Sequence, residues 1–123
     1  MARRDLQLDH KVILDLIDPQ SSVLDLGCGS GDLLYLLIKE KKVRAQGIEI
    51  DDQAIYKCVA KGLNVFHGDV DSGLAEFNDK SFDYVILNQS MQQILHVDKV
   101  LADALRVGKK VIVGFPNFAY YKS

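Results

Sequence analysis

The sequence predicts an α/β domain built on a doubly wound, mostly parallel sheet. Three observations carry that expectation. Short apolar segments of strand length alternate with longer segments of helical period, the pattern of parallel strands joined by right-handed crossovers. The first strand-like segment breaks directly into a glycine-rich turn, Gly27-Cys28-Gly29-Ser30-Gly31, at the entrance to a helix. Phe82 to Leu87 (FDYVIL) is almost continuously apolar, as a central strand buried on both faces should be.

Each element has its own signal. Leu6 to Ile17 places apolar residues at 6, 13 and 17 and at 8, 12 and 16, so it reads as an amphipathic helix. Pro19 ends it, because the residue before proline is disfavoured in helix. Ser22 to Leu26 (SVLDL) is a short buried strand. Asp32 to Lys41 is a helix whose cationic end, KEKK, suits the negative end of the helix dipole. Arg44 to Ile50 is the second strand. Asp51 or Asp52 caps the next helix, which runs to about Lys61 and stops at Gly62. Asn64 to His67 is a third short strand, and Gly68 to Ser81 is a polar, turn-rich segment. After the FDYVIL strand, Val97, Val100, Leu101, Ala104 and Leu105 mark one face of a helix that Gly108 ends. Val111 to Phe115 is the fifth strand, stopped by Pro116. The tail NFAYYKS is expected to start no further element.

Size and composition bound the function. The 123 residues suit a single domain over 1–123, with an ordinary globular mixture of 48% hydrophobic and 26% charged residues. The formal net charge of −2 gives no basic surface for nucleic acid. No apolar run approaches the roughly 20 residues of a membrane span, and the N-terminus lacks an apolar signal core. The expectation is a cytoplasmic protein without a membrane or nucleic-acid partner. Cys28 and Cys58 lie 30 positions apart, without a CxxC spacing, and the three histidines do not cluster with them. They read as reduced structural thiols, and no metal is expected.

The glycine loop and three acids suggest the ligand. Glycines at 27, 29 and 31 let the backbone turn sharply and approach a ligand closely. The spacing is GxGxG followed by Asp32, whereas a dinucleotide fingerprint wants a small residue there and brings pyrophosphate to the helix N-terminus. A carboxylate in that first turn repels pyrophosphate and favours a cationic or zwitterionic ligand. Asp25 sits inside the first strand, where a buried carboxylate must be paired or hydrogen-bonded. It either braces the loop through N–H groups or receives a ligand ammonium through water, and both roles are compatible. Glu49 ends the second strand 22 positions after Gly27, where an acid can take both hydroxyls of a ribose. Asp69, 20 positions later in GDVD, either forms a turn or accepts from an adenine amine. Together these residues describe a site for an adenosine with a cationic amino-acid tail and no phosphates: S-adenosylmethionine. An oxidoreductase binding a dinucleotide is disfavoured by Asp32 and by the glycine spacing.

At these residues the chain resembles the class I S-adenosylmethionine-dependent methyltransferases, with their Rossmann-like sheet. VLDLGCGSG is similar to that family's first motif, GIEID to its ribose-binding strand end, GD to its adenine-side motif and FDYVILNQ to its fourth-strand motif. The stretches VLDLGCGSGDLL, GIEID, KGLNVFHGDVDSGL, FDYVILNQSMQQI and LRVGKKVIVGFPNF resemble, in order and spacing, the methionine-biosynthesis MetW subfamily, from about Pro19 to Phe118. The set including Asp71, Ser72, Gly73 and Leu74 is the more specific part. The resemblance implies that Gly27, Gly29 and Gly31 line the methionine moiety, and Asp25 and Cys28 belong to the expected cofactor-binding set. It implies that Glu49 holds the ribose, Asp69 the adenine amine, Ile50 and Val70 the adenine ring, and Asn88 the neighbourhood of the sulfonium. It implies homoserine O-acyltransferase as a partner.

Two departures qualify the resemblance. Many small-molecule methyltransferases carry Glu-His after the fourth strand, whereas this chain has Gln92-Gln93, as MetW proteins also do. Amides cannot act as a general base near neutral pH, which leaves His96 as the nearest titratable candidate. The family's sheet also continues with two antiparallel strands after the fifth. They are expected to be missing here through C-terminal truncation, which would leave the fifth strand as a bare edge. Two functions follow: methyl transfer to a small acceptor, or a non-catalytic subunit that senses S-adenosylmethionine.

Overall fold

A computed structural model describes residues 10–88, 94–115 and 118–122. Helix α1 covers residues 10–16. It is followed by β1 (Ser22–Leu26), α2 (Asp32–Lys41), β2 (Arg44–Glu49), α3 (Asp52–Ala60) and β3 (Val65–His67). A 3-10 turn, Val70–Ser72, leads to β4 (Phe82–Asn88), α4 (Val97–Val107), β5 (Gly108–Phe115) and β6 (Phe118–Lys122). The strands form one six-stranded sheet in the order β3-β2-β1-β4-β5-β6. All neighbours from β3 to β5 pair in parallel. The strand order reverses between β1 and β4, and ligands of such sheets bind outside the carboxyl ends of the strands at that switch point.

Period-two alternation explains why the central strands read as continuous apolar runs. On one face Val23, Tyr84, Ile86 and Ile112 pack with Ile13 and Ile17, with Leu34 and Leu37 of α2, and with Cys58 of α3. On the other face Leu24, Leu26, Val85, Leu87 and Val111 pack against Val100, Ala104 and Val107 of α4 and against Leu74. Each fully buried aliphatic side chain contributes about 1.5–3 kcal/mol. The same alternation directs Asp25 to the Val23 face, beneath the loop that enters α2. Of the two apolar rows predicted for the first helix, Ile13 and Ile17 are core and Val12 is exposed; the predicted start at Leu6 lies outside the described residues.

Polar contacts pin the register and the long connection. The Ser22 N–H donates to Asp83 Oδ2 at 2.9 Å, and the Asp83 N–H donates back to Ser22 Oγ at 2.9 Å, locking β1 beside β4. The Ser22 backbone donor, aided by Lys109, holds the Asp83 carboxyl below the usual carboxylate range. Arg106 of α4 donates to the carbonyls of Phe77 (2.8 Å) and Leu74 (2.7 Å) and to Asp79 Oδ1 (2.9 Å). The polar segment after β3 is thereby fastened to α4, and Leu74 reaches the core.

Two expectations need correction. The tail does form an element: Phe118–Lys122 is β6, antiparallel to β5, with Phe115 opposite Phe118 and Val111 opposite Lys122. Its FAYY run is rich in aromatic, strand-favouring residues, and Pro116-Asn117 supplies the turn-forming composition before it. One antiparallel strand beyond the fifth is therefore present, and β5 is not a bare edge. Strand β5 also begins three residues earlier than predicted, at Gly108, so α4 passes into it without a loop. Glycine is required there: a Cβ would stand 2.7 Å from Val85 Cγ2 and 2.9 Å from the Lys110 carbonyl oxygen. Gly108→Ala should lower stability by about 1–3 kcal/mol, the usual range for overpacking, measured as a shift of the urea unfolding midpoint.

Candidate functional site

The site is built on the turn between β1 and α2. The N–H groups of Gly27 and Cys28 both donate to the Ile48 carbonyl, at 2.8 and 3.1 Å, which folds the loop over the end of β2. Gly27, Gly29 and Gly31 all have positive φ, at 77°, 58° and 86°. Their surroundings differ. No atom lies within 4 Å of where a Gly29 Cβ would stand, so that glycine faces open space. A Cβ on Gly31 would strike Leu63 Cδ1 and meet Cys58 Sγ at 3.0 Å. Gly31 is thus a packing glycine turned to the interior, and it is absent from the cavity wall.

Helix α3 supports the loop from behind. The Cys58 thiol donates to the Gly29 carbonyl at 3.1 Å, and Lys61 Nζ donates to the Ser30 carbonyl at 2.9 Å. Lys61 also lies 3.5 Å from Asp32 Oδ1. Of the two predicted caps, Asp51 is the one that accepts from the Ala54 N–H at the start of α3. No local pattern indicates this support, because the contacts join positions about thirty residues apart.

A cavity of about 650 Å³ opens at this rim. Its wall includes Asp25, Gly27, Cys28, Gly29, Glu49, Ile50, Asp69 and Val70, so the fold brings most of the predicted residues together. His10, Ser30, Asp51, Ala54, Gly68, Asp71 and Ile94 join them. Asp25 is 3% exposed, and its Oδ1 has no hydrogen-bond partner. Burial, and secondarily the Glu49 charge, push its carboxyl up to about 7. Glu49 Oε1 accepts from the Gly29 N–H at 2.8 Å and Oε2 from the Asp51 N–H at 3.0 Å. This leaves each oxygen a lone pair for a ligand. Asp69 Oδ1 caps the 3-10 turn by accepting from the Asp71 N–H at 3.0 Å. Ile50 is 58% exposed and Val70 half-buried, and both supply apolar wall.

The remaining candidates are placed as follows. The backbone of Asn88 ends β4, paired with Gly114, while its side chain lies outside the described residues, as do Gln92 and Gln93. His96 starts α4 without a side-chain cap and is not in the cavity wall. Cys28 Sγ turns inward, 3.9 Å from Cys58 Sγ. Asp71 has a role that sequence reasoning missed. Its two carboxylate oxygens accept from the consecutive N–H groups of Leu95 (3.1 Å) and His96 (2.9 Å). Those donors hold its carboxyl below the ordinary range. The only sequence signal was its place in GDVDSGL. Among the described residues no three His, Cys, Asp or Glu side chains are grouped to hold a metal ion, and no helix is long and apolar enough to cross a membrane.

With the geometry established, comparison with known proteins is decisive on one point. The family model described as methionine biosynthesis protein MetW matches residues 7–123. The chain belongs to the MetW family. The bifunctional methionine biosynthesis protein MetXA/MetW of Rhodopirellula baltica is 39% identical over 94% of this chain, and the match spans 20% of that relative's length. The MetW fold is also that of S-adenosylmethionine-dependent methyltransferases. One from Thermotoga maritima superposes with a TM-score of 0.74 at 21% identity, covering 93% of this chain and 53% of that one. A phosphoethanolamine N-methyltransferase of Haemonchus contortus, bound to S-adenosylhomocysteine, superposes with a TM-score of 0.73 at 21% identity, covering 85% and 27%. At these identities the likeness shows the fold alone.

The Asp71 contacts fasten the segment before α4 to the 3-10 turn. Asp71→Asn removes one of the two acceptor oxygens. Amide hydrogen exchange at Leu95 and His96 should accelerate, while exchange in β1 and β4 stays unchanged.

Proposed function

We propose that this MetW protein binds S-adenosylmethionine, and its product form S-adenosylhomocysteine, in the cavity above β1 and β2. The observation that carries this reading is the charge of the wall. Asp25, Asp32, Glu49, Asp51, Asp69 and Asp71 line it, and among the described residues no lysine or arginine does. Such a wall repels phosphates and attracts a nucleoside with a sulfonium and an ammonium in its tail. The residues fit that ligand. The orphaned Oδ1 of Asp25 offers an acceptor to an ammonium, directly or through water. The open face of Gly29 admits close approach. The paired oxygens of Glu49 match a ribose diol, Asp69 retains a second oxygen for the adenine amine, and Ile50 and Val70 offer surfaces to a flat ring. By family resemblance, Asn88 serves the sulfonium end.

The ligand supplies an electrophilic methyl group when bound. The protein's own contribution is orientation and charge. An acceptor that is already nucleophilic needs in-line positioning and no general base, so methyl transfer to a small molecule is compatible with Gln92-Gln93. The MetXA/MetW fusion favours a second use of the same site. In it, a cytoplasmic subunit that catalyses nothing reports S-adenosylmethionine, a downstream product of methionine synthesis, to homoserine O-acyltransferase. Fold and cofactor site alone do not establish catalysis.

Calorimetric titration with S-adenosylmethionine tests the binding. A labelled-methyl assay with homoserine, acylhomoserine and the acyltransferase each present then separates the two uses. Binding without label transfer favours the sensing subunit, and no binding overturns both. Glu49→Ala should weaken S-adenosylhomocysteine binding about a hundredfold, the worth of two charge-assisted hydrogen bonds, with unchanged circular dichroism. The pH dependence follows from Asp25, whose carboxyl titrates near 7 in the free protein. A ligand ammonium favours the ionised form, so affinity is full above that pH and falls about tenfold per unit below it. Asp25→Asn should flatten the profile, read by titrations across the range.

A further inference from the structure

Cys28 and Cys58 are linked by more than proximity. Cys58 is fully buried on α3, and its thiol donates to the Gly29 carbonyl at 3.1 Å. Cys28 Sγ lies 3.9 Å from Cys58 Sγ and 3.7 Å from the same carbonyl. With the Cys58 proton committed to Gly29, the Cys28 thiol is left to donate to Cys58 sulfur. Cys28 is half-buried and belongs to the cavity wall, with its sulfur turned toward Cys58. Its sulfur rests on β2, because Gly47 provides no Cβ: one would stand 2.6 Å from Cys28 Sγ. An S–S bond is about 2.0 Å long, so the two sulfurs need to close by roughly the same amount again.

We infer that Cys28 and Cys58 form a modification site, a thiol pair that a hydroperoxide converts to a disulfide, and that the disulfide deforms the glycine loop. Cys28, as thiolate, attacks the peroxide oxygen; the O–O bond breaks, and one water leaves as Cys28 becomes a sulfenic acid. Cys58 sulfur then attacks Cys28 sulfur, the S–O bond breaks, and a second water leaves. Two thiols lose two electrons and two protons, and one hydrogen peroxide becomes two waters. Closure draws Cys28 toward α3 and removes the Cys58 proton, so the Gly29 carbonyl loses its donor. The N–H of that same residue is bonded to Glu49, which ties the cross-link to the ligand-facing acid. Burial and the nearby Asp25 and Glu49 charges raise the Cys28 thiol, and burial raises Cys58 against the opposing Lys61 charge. The pair therefore reacts slowly at neutral pH and faster as pH rises. The disulfide stands on this geometry; its effect on the ligand rests on the function proposed above.

The experiment treats the reduced full chain with hydrogen peroxide at neutral and alkaline pH. Intact mass and peptide mapping should show the loss of two hydrogens and a Cys28–Cys58 cross-link. Amide exchange at Gly29 should rise. S-adenosylhomocysteine affinity should fall at least about tenfold and return with dithiothreitol. Saturating S-adenosylhomocysteine should slow the cross-link, since it occupies the cavity that Cys28 lines. Cys58→Ser keeps a donor to Gly29 and lacks the second thiol, so peroxide should leave a dimedone-reactive sulfenic acid on Cys28 and no cross-link. Over-oxidation of wild-type Cys28 without a cross-link overturns the inference, as does a cross-linked protein with unchanged Gly29 exchange. If the reduced protein binds no S-adenosylhomocysteine, the proposed function fails, while the mass and Gly29 exchange measurements still decide this inference.

Discussion

The hydrogen bond from the Gly29 N–H to Glu49 Oε1, at 2.8 Å, is the contact on which the site depends. It joins the turn that leaves β1 to the acid that ends β2. Without it a loop carrying three positive-φ glycines would sample many conformations, since glycine gives up more backbone freedom on ordering than any other residue. The bond succeeds because other contacts prepare both ends. The Ile48 carbonyl receives two loop N–H groups, Cys58 and Lys61 engage the loop carbonyls, and Asp51 steadies the second Glu49 oxygen. A short ring of contacts through β2 and α3 thus encloses a loop that has almost no side chains of its own.

Most of the fold was legible because its signals are local. Alternation along FDYVIL, the KEKK helix end and the Asp51 cap each state an element within a few residues. The clustering of the candidate residues was legible for a related reason: Asp25, Glu49 and Asp69 all fall on or just beyond strands, and parallel strands bring their carboxyl ends to one rim. What escaped was either non-local or masked by neighbours. The inward turn of Gly31 depends on Leu63 and Cys58, which nothing in GCGSG indicates. The grip of Asp71 on Leu95 and His96 depends on how α4 docks. The β6 strand was hidden by Pro116, which marks the end of one strand and also precedes the return of the next.

The glycines show how one spacing serves two physical needs. Gly29 is bare toward open space, whereas Gly31 is bare so that the chain can come near itself. A motif written as GxGxG treats them alike. The acids divide similarly. Asp32 is exposed and pairs loosely with the half-buried Lys61, a contact worth little in water. Asp25 bears a buried, unpaired oxygen that the folded protein keeps at a cost.

The direct passage of α4 into β5 has a mechanical consequence. Where a helix and a strand share a loop, either can shift while the loop takes up the difference. Here Gly108 closes the helix and opens the strand in the same residue, packed against Val85, so that end has no slack. At its other end Ile94 faces the cavity, and the half-buried Asp71 carboxylate holds the next two amides. The helix is a beam clamped at the sheet and tied at the rim, and the rim is where it can yield.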